Sequence, residues 1–140
     1  MPKVSGRTEL TRNPDPWPVG IEDFRDLEVW QRAMELQRAC HGVARRLPAE
    51  AKFELAAQLR RAAGSIVANI AEGHGQSTRA NYRRYIGLAR GSSREVQAHL
   101  LSIVDVGYVS RDDVATASDL NERVGKMLTK LYNRLGDRDE

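Results

Sequence analysis

The chain has 140 residues, of which 41% are apolar and 29% are charged, and it carries a net charge of +3. This length and composition are typical of a single soluble domain, and they exclude a transmembrane protein because no apolar run approaches the roughly 20 residues that span a bilayer. The single cysteine, Cys40, excludes an internal disulfide and is typical of a reducing cytoplasm.

Positive charge is concentrated in the middle of the chain. Residues 51–100 hold eight basic and three acidic side chains, whereas residues 1–50 hold eight of each and residues 101–140 hold six basic and eight acidic. Such a distribution favours an electropositive surface that binds nucleic acid. A solvated helix face, paired with acids from the flanking segments, is the alternative.

The first 22 residues differ from the rest of the chain. They contain four of the five prolines and show no apolar periodicity, so we expect a flexible leader over residues 1–22. Residues 23–136 are then expected to form the domain, followed by a charged tail over residues 137–140.

The first helix is expected from Phe24 to Leu47, since Pro48 disfavours its continuation. Its main apolar stripe alternates intervals of four and three residues and is typical of a helix facing a core: Val29, Ala33, Leu36, Cys40, Val43 and Leu47. A second apolar group on another face of this helix consists of Leu27, Trp30 and Met34. A wide core face or cover from the leader would explain it, but tryptophan is a common interface anchor, and we favour a subunit interface.

Three more helices follow with short connections. The second, from about Ala51 to Glu72, directs Leu55, Leu59, Ala62, Ile66 and Ile70 inward. The third begins after Ser77 and reaches about Val106, before Gly107, with Tyr82, Ile86, Ala89, Ser93, Val96, Leu100 and Ile103 on its apolar side. The fourth opens with a capping-box pattern at Ser110 and Asp113 and places Val114, Ala117, Asn121, Val124, Leu128, Leu131 and Leu135 on its inner side. Four such helices predict an all-α, antiparallel up-down four-helix bundle, in which Asn121 fixes the register.

The connection between the second and third helices has an unusual carboxylate. Glu72 lies at a helix C-terminus, where partial negative charge makes an acid unfavourable unless a positive group is near. We therefore expect Glu72 to turn back onto the third helix or its arginines, with Asn69 hydrogen-bonded in the same corner. Gly73 is expected to end the second helix in a left-handed conformation.

The third helix carries a stripe of arginines. At 100° per residue, Arg79, Arg83, Arg90 and Arg94 fall within an arc of about 60°, outside the apolar stripe and without an intervening acid. Phosphate groups bind such a row through charge and counterion release. We predict a nucleic-acid-binding face here, and Arg60 and Arg61 of the second helix are candidates to widen it.

Patterns for catalysis or metal binding are weak. The histidines do not share a helix face, and the pair Glu95 and His99 matches neither the zinc nor the di-iron spacing, so we expect no metal and no cofactor. Arg94 and His99 match the loose arginine–histidine spacing of HEPN ribonucleases, but five residues on a regular helix direct the two side chains about 140° apart. An RNA nuclease is therefore only a minor alternative.

Several segments are similar to a known family: "FRDLEVWQRA", "FELAAQLRRAAGSIVANIAEG" and "GSSREV" followed by Gly107-Tyr108. They resemble the bundle proteins encoded in intervening sequences of bacterial large-subunit ribosomal RNA genes, a family that includes the accessory variability protein of diversity-generating retroelements. The resemblance covers about Phe24 to Leu135. It implies a homopentamer, no catalytic residues and, in the retroelement branch, a basic surface that binds nucleic acid and a reverse transcriptase.

The sequence thus predicts a non-enzymatic, cytoplasmic, oligomeric bundle that presents arginines to structured RNA or DNA or to a nucleoprotein partner such as a reverse transcriptase. A purely protein-binding scaffold, with the arginines engaged in salt bridges, is the main alternative. No membrane partner is expected.

Overall fold

The computed structural model describes residues 23–136, so the expected leader (1–22) and tail (137–140) lie outside the described residues. A 3-10 turn at Phe24–Asp26 precedes four long helices: α1 (Glu28–Arg46), α2 (Glu54–His74), α3 (Arg79–Asp105) and α4 (Arg111–Gly136). A one-turn helix, Ala49–Lys52, precedes α2, and no strand forms between residues 23 and 136. The predicted all-α bundle is confirmed.

The four helices are arranged in a ring in which each packs against two neighbours. Helix α1 contacts α2 and α4, and α3 contacts the same two helices from the opposite side. Short connections make successive helices antiparallel. The α1–α2 and α3–α4 connections therefore lie at one end of the bundle, which we call the Phe53 end, and the α2–α3 connection lies at the other. An ion pair of 2.8 Å between Arg46 and Asp113 joins α1 to α4 at the Phe53 end.

The core is built from the apolar stripes that the sequence predicts. Every residue expected on the inner sides of α1, α3 and α4 is buried, as are Leu59, Ala62, Ile66 and Ile70 of α2. Leu55 is partly buried against the same core. Within residues 23–136, no helix combines the length and the apolar character that a membrane span requires.

Asn121 and Ser93 form a polar pair inside this core. The Ser93 hydroxyl donates to the Asn121 Oδ1 at 2.9 Å, and the Asn121 amide donates to the Ser93 carbonyl, also at 2.9 Å. Both residues are buried. Because buried polar groups are stable only with their partners in place, this pair links α3 to α4, which is the arrangement expected if Asn121 fixes their register.

The helix ends follow local capping chemistry. At the start of α4, the Asp113 N–H donates to the Ser110 hydroxyl, and the Ser110 N–H donates to the Asp113 carboxylate, which confirms the predicted capping box. Hydrogen bonds from the Ser110 backbone N–H and then the Ser110 hydroxyl to the Asp113 carboxylate lower the pKa of Asp113. Gly107, with a φ of 88°, ends α3 as expected. The N-cap of α3 is Thr78 rather than Ser77, since the Thr78 hydroxyl accepts from the Asn81 N–H at 3.1 Å.

Gly73 differs from its prediction. The left-handed stop is wrong, because α2 continues through Gly73 to His74, and Gly107 is the one described glycine with a positive φ. Gly73 is instead a point of close contact with α3. A Cβ added there would lie 2.9 Å from the Tyr85 Cβ and 3.2 Å from the Tyr82 Cδ1. The absence of a side chain allows α2 and α3 to approach at this corner.

The second apolar face of α1 is only partly available to another subunit. Leu27 is buried in the core of its own chain, so its assignment to a subunit interface is wrong. Trp30 is half-buried against that core, and the Phe24 ring meets it edge to face at 5.2 Å. Met34 is half-buried, and the Gln37 amide approaches its sulfur at 3.8 Å. The 3-10 turn thus covers part of this face.

Cys40 is expected to resist alkylation in the folded protein. Burial raises the pKa of its thiol to about 12, and the thiolate is the reactive form. Mass spectrometry after iodoacetamide treatment at neutral pH should show no adduct on native protein and complete labelling in denaturant. Rapid labelling of the native protein would contradict the buried position.

Candidate nucleic-acid interface

The arginine stripe of α3 faces its neighbour α4, and the arginines at its two ends have different surroundings. At the N-terminal end of α3, Arg79 Nε donates to the Leu135 carbonyl at 3.0 Å, and its Nη2 donates to the Arg134 carbonyl at 2.7 Å. Arg83 Nε donates to the Tyr132 carbonyl at 3.1 Å. These carbonyls lie near the C-terminal end of α4, where a helix carries partial negative charge. Arg79 and Arg83 therefore hydrogen-bond to this end of α4.

Tyr132 of α4 lies beneath two of the arginines. The Arg83 guanidinium carbon lies 3.8 Å from the Tyr132 ring centroid, and that of Arg90 lies 4.6 Å from it. Such contacts stabilise a cation on the face of an aromatic ring and hold its side chain in place. Gly87 allows this approach, since a Cβ there would lie 3.2 Å from the Tyr132 ring.

Arg90 and Arg94 belong to a groove between α3 and α4. The groove has a volume of about 1200 Å³ and is lined by side chains of these two helices only. Arg94 is exposed and Arg90 half-buried. Within residues 23–136, neither makes an ion pair with an acid.

The groove is cationic in the half that lies away from the Phe53 end. There Arg90 and Arg94 of α3 face Lys126 and Lys130 of α4. The Lys126 ammonium lies 3.6 Å from the Glu122 carboxylate, but both side chains are largely exposed. Exposed ion pairs of this kind contribute little to stability. Lys130 has no acid partner among the described residues. We call this set of four residues the cationic half of the groove.

The lysines of α4 were missed in the sequence. Their spacing of four residues places Lys126 and Lys130 on one side of α4, and this pattern was available. The sequence did not show that these lysines lie opposite the α3 arginines, because that depends on which side of α4 faces α3. Gly125, next to Lys126, approaches the Ser93 hydroxyl, which identifies that side.

Arg60 and Arg61 lie apart from this groove. Both are exposed on α2, whereas the groove is lined only by α3 and α4. Neither has an ion-pair partner among the described residues. The structure does not bring them together with Arg90 and Arg94, so they do not widen the groove.

The contact expected for Glu72 is not formed among the described residues. Its side chain is exposed and makes no ion pair with them, while Arg79 is directed to the end of α4 instead. The Asn69 amide donates to the carbonyl and hydroxyl of Ser65, at 2.9 and 3.0 Å, rather than into the corner. The Ser92 hydroxyl of α3 also donates to the Ser65 hydroxyl at 2.8 Å. These three residues thus form a polar contact between α2 and α3.

The arrangement offers little support for a nuclease. Arg94 lines the groove, whereas His99 does not, and the His99 Nε2 lies 3.6 Å from the Glu95 carboxylate. The two side chains point to different surfaces, as the helical spacing predicts. No group of three or more potential metal ligands occurs within residues 23–136.

Comparison with known proteins identifies the family. Among solved structures, the chain is similar to a crystal structure from Bacteroides thetaiotaomicron, described as a protein of unknown function from the S23 ribosomal protein family. The two share 20% identity with a TM-score of 0.70, over 74% of this chain and 97% of that one, which shows a common fold. No curated protein matches. A family model for the 23S rRNA-intervening sequence protein matches residues 25–130, most of the chain. The chain therefore belongs to the 23S rRNA-intervening sequence protein family, which confirms the resemblance seen in its sequence.

Proposed function

We propose that the protein is a non-enzymatic, oligomeric bundle of the cytoplasm, and that its α3–α4 groove binds the phosphate backbone of structured RNA or DNA. The nucleic acid can be free or part of a nucleoprotein partner such as a reverse transcriptase. The observation that carries the proposal is the cationic half of the groove. Four cations from two facing helices line it, and Arg90 and Arg94 have no acid partner among the described residues.

The groove suits phosphate better than bases. Residues four apart on a helix are separated by about 6 Å along its axis, so each helix offers two successive charges to a backbone. No described residue that lines the groove is aromatic, so it lacks the stacking platforms typical of single-strand binding. Phosphate-directed binding of this kind carries no base specificity.

The family description names 23S rRNA, which makes a structured RNA the first probe to use. The proposal requires no cofactor and no chemical step. Oligomerisation would repeat the cationic half around an assembly, and this raises the apparent affinity without new contacts.

A protein-binding scaffold is the second candidate. The contacts of Arg79 and Arg83 favour it, because the guanidinium N–H groups of both residues donate to carbonyls of α4 rather than to a ligand. If Arg90 and Arg94 also make only contacts within the bundle, the protein will bind no nucleic acid even at low salt.

A salt titration tests the proposed function. Fluorescence anisotropy of a labelled RNA hairpin should show an affinity that falls steeply with added salt, because bound phosphates release counterions. Arg94→Glu and Lys130→Glu should each weaken binding by roughly tenfold or more at low salt. Arg38→Glu is the matched control, because Arg38 is exposed on α1, which does not border the groove.

Two results would contradict this proposal. The first is no measurable binding at low salt. The second is an equal loss of affinity in the Arg38→Glu control, since this would show a general charge effect rather than binding in the groove.

A further inference from the structure

The α3–α4 groove is lined by acids as well as by cations. Asp119 and Glu122 lie on the same side of α4 as Lys126, two turns and one turn away from that lysine. Asp119 makes no ion pair or hydrogen bond with residues 23–136, and Glu122 approaches only Lys126. Neither acid pairs with Arg90 or Arg94. Because a carboxylate repels a phosphate, the two acids limit the run of phosphates that the groove can hold.

The floor of the groove beside these acids is polar and buried. Ser93 and Asn121 line the groove, although they are only 6% and 5% exposed. The Asn121 amide has two N–H groups, and within residues 23–136 only one of them has an acceptor, the Ser93 carbonyl at 2.9 Å. The Ser93 hydroxyl donates to Asn121 Oδ1 and accepts from no described residue. A buried N–H without an acceptor is uncommon and indicates that a polar group enters the groove.

We call Ser93, Asn121, Asp119 and Glu122 the polar middle of the groove. It borders the cationic half, since Ser93 directly precedes Arg94 in the chain. A ligand group that binds here must accept a hydrogen bond from an amide, donate one to an oxygen, and carry no negative charge. A hydroxyl group meets all three conditions. The ribose 2′-hydroxyl of RNA both donates and accepts, belongs to the sugar that each phosphate joins, and is absent from DNA.

We propose that the polar middle of the groove binds a ribose 2′-hydroxyl, and that the protein therefore prefers RNA to DNA. This inference rests on the proposed function and specifies its ligand. The hydroxyl accepts from the Asn121 amide and donates to the Asp119 carboxylate. Asn121 lies about 7 Å along α4 from Lys126, so a phosphate at the lysine and a nearby sugar can bind together. Nearer the Phe53 end, the oppositely charged Asp105 and Arg111 line the groove, so it offers no second row of cations there.

Three hairpins of the same sequence test this preference: RNA, RNA with 2′-fluoro sugars, and DNA. The 2′-fluoro strand keeps the A-form helix and all its phosphates but has no 2′-hydroxyl. Fluorescence anisotropy with the full chain at low salt should show that the RNA hairpin binds roughly tenfold more tightly than either of the other two. Equal binding of RNA and 2′-fluoro RNA would overturn the proposal, because any preference over DNA would then come from the shape of the helix.

Asp119→Ala tests the position of the contact. Affinity for every hairpin should rise because a repulsive charge is removed, but the preference for RNA over 2′-fluoro RNA should fall to below about threefold. Asp112→Ala is the matched control, since it removes an exposed acid of α4 that does not line the groove, and it should leave the preference unchanged. Thermal unfolding should confirm that both variants are folded. An unchanged preference in Asp119→Ala, or an equal loss in Asp112→Ala, would overturn the proposal.

The same measurements separate this inference from the proposed function. If all three hairpins bind equally and their affinity falls steeply with added salt, the 2′-hydroxyl contact is wrong but phosphate binding in the groove stands. If no hairpin binds at low salt, both proposals are wrong.

Discussion

Replacing Asn121 with alanine is expected to lower the free energy of unfolding by about 2–3 kcal/mol. The Asn121 amide makes two hydrogen bonds with Ser93 in the core, and both residues are buried. The variant removes both bonds, leaves the Ser93 hydroxyl without its acceptor at the base of the α3–α4 groove, and creates a small cavity. Urea unfolding followed by circular dichroism measures the change.

Two companion variants separate the hydrogen-bonded pair from general effects on α4. Asn133→Ala removes an exposed asparagine from the same helix and should change stability by less than about 0.5 kcal/mol. The double variant Ser93→Ala with Asn121→Leu should recover much of the loss, because neither hydroxyl nor amide then remains unpaired. A loss for Asn121→Ala below about 0.5 kcal/mol would show that the pair does not hold α3 and α4 together.

Replacing Gly73 with alanine is expected to destabilise the bundle by about 1–3 kcal/mol, although alanine is the better helix former. The new Cβ would lie 2.9 Å from the Tyr85 Cβ, which is close to the α3 backbone and cannot rotate away. Helices α2 and α3 would have to separate at their corner. Urea unfolding and proton chemical shifts of Tyr82 and Tyr85 would report the change.

Gly91→Ala is the matched control for this substitution. Gly91 lies within α3, is exposed, and has no atom within 4 Å of a Cβ added there. The same change should therefore stabilise the protein by up to about 1 kcal/mol through helix propensity alone. Opposite signs for the two substitutions are expected, and a stabilising effect at Gly73 would contradict the close contact of α2 with α3.

The sequence was sufficient for the bundle because apolar periodicity alone determines which side of each helix is buried. The stripe from Val114 to Leu135 illustrates this, since all its members are buried in the structure. The capping box at Ser110 and the stop at Gly107 were also predictable, because each depends on residues only a few positions apart.

Contacts between helices were less predictable. Glu72 was expected to turn back onto the start of α3 or onto its arginines. A helical pattern places arginines on one face of a helix, but it does not show which neighbouring helix end lies beside that face. The C-terminal end of α4 lies next to Arg79 and Arg83, and its carbonyls bind these arginines instead. Gly73 was assigned from a common rule for helix ends, whereas the distance to Tyr85 could come only from packing.

The direction of the chain through the bundle has a practical consequence for binding studies. Helix α1 begins and helix α4 ends at the end of the bundle opposite the Phe53 end. The α2–α3 connection lies at that same end, so a fluorophore or tether attached there would leave the Phe53 end of the bundle open to solution. Surface-based assays of RNA capture can then be made on molecules that all present the same end.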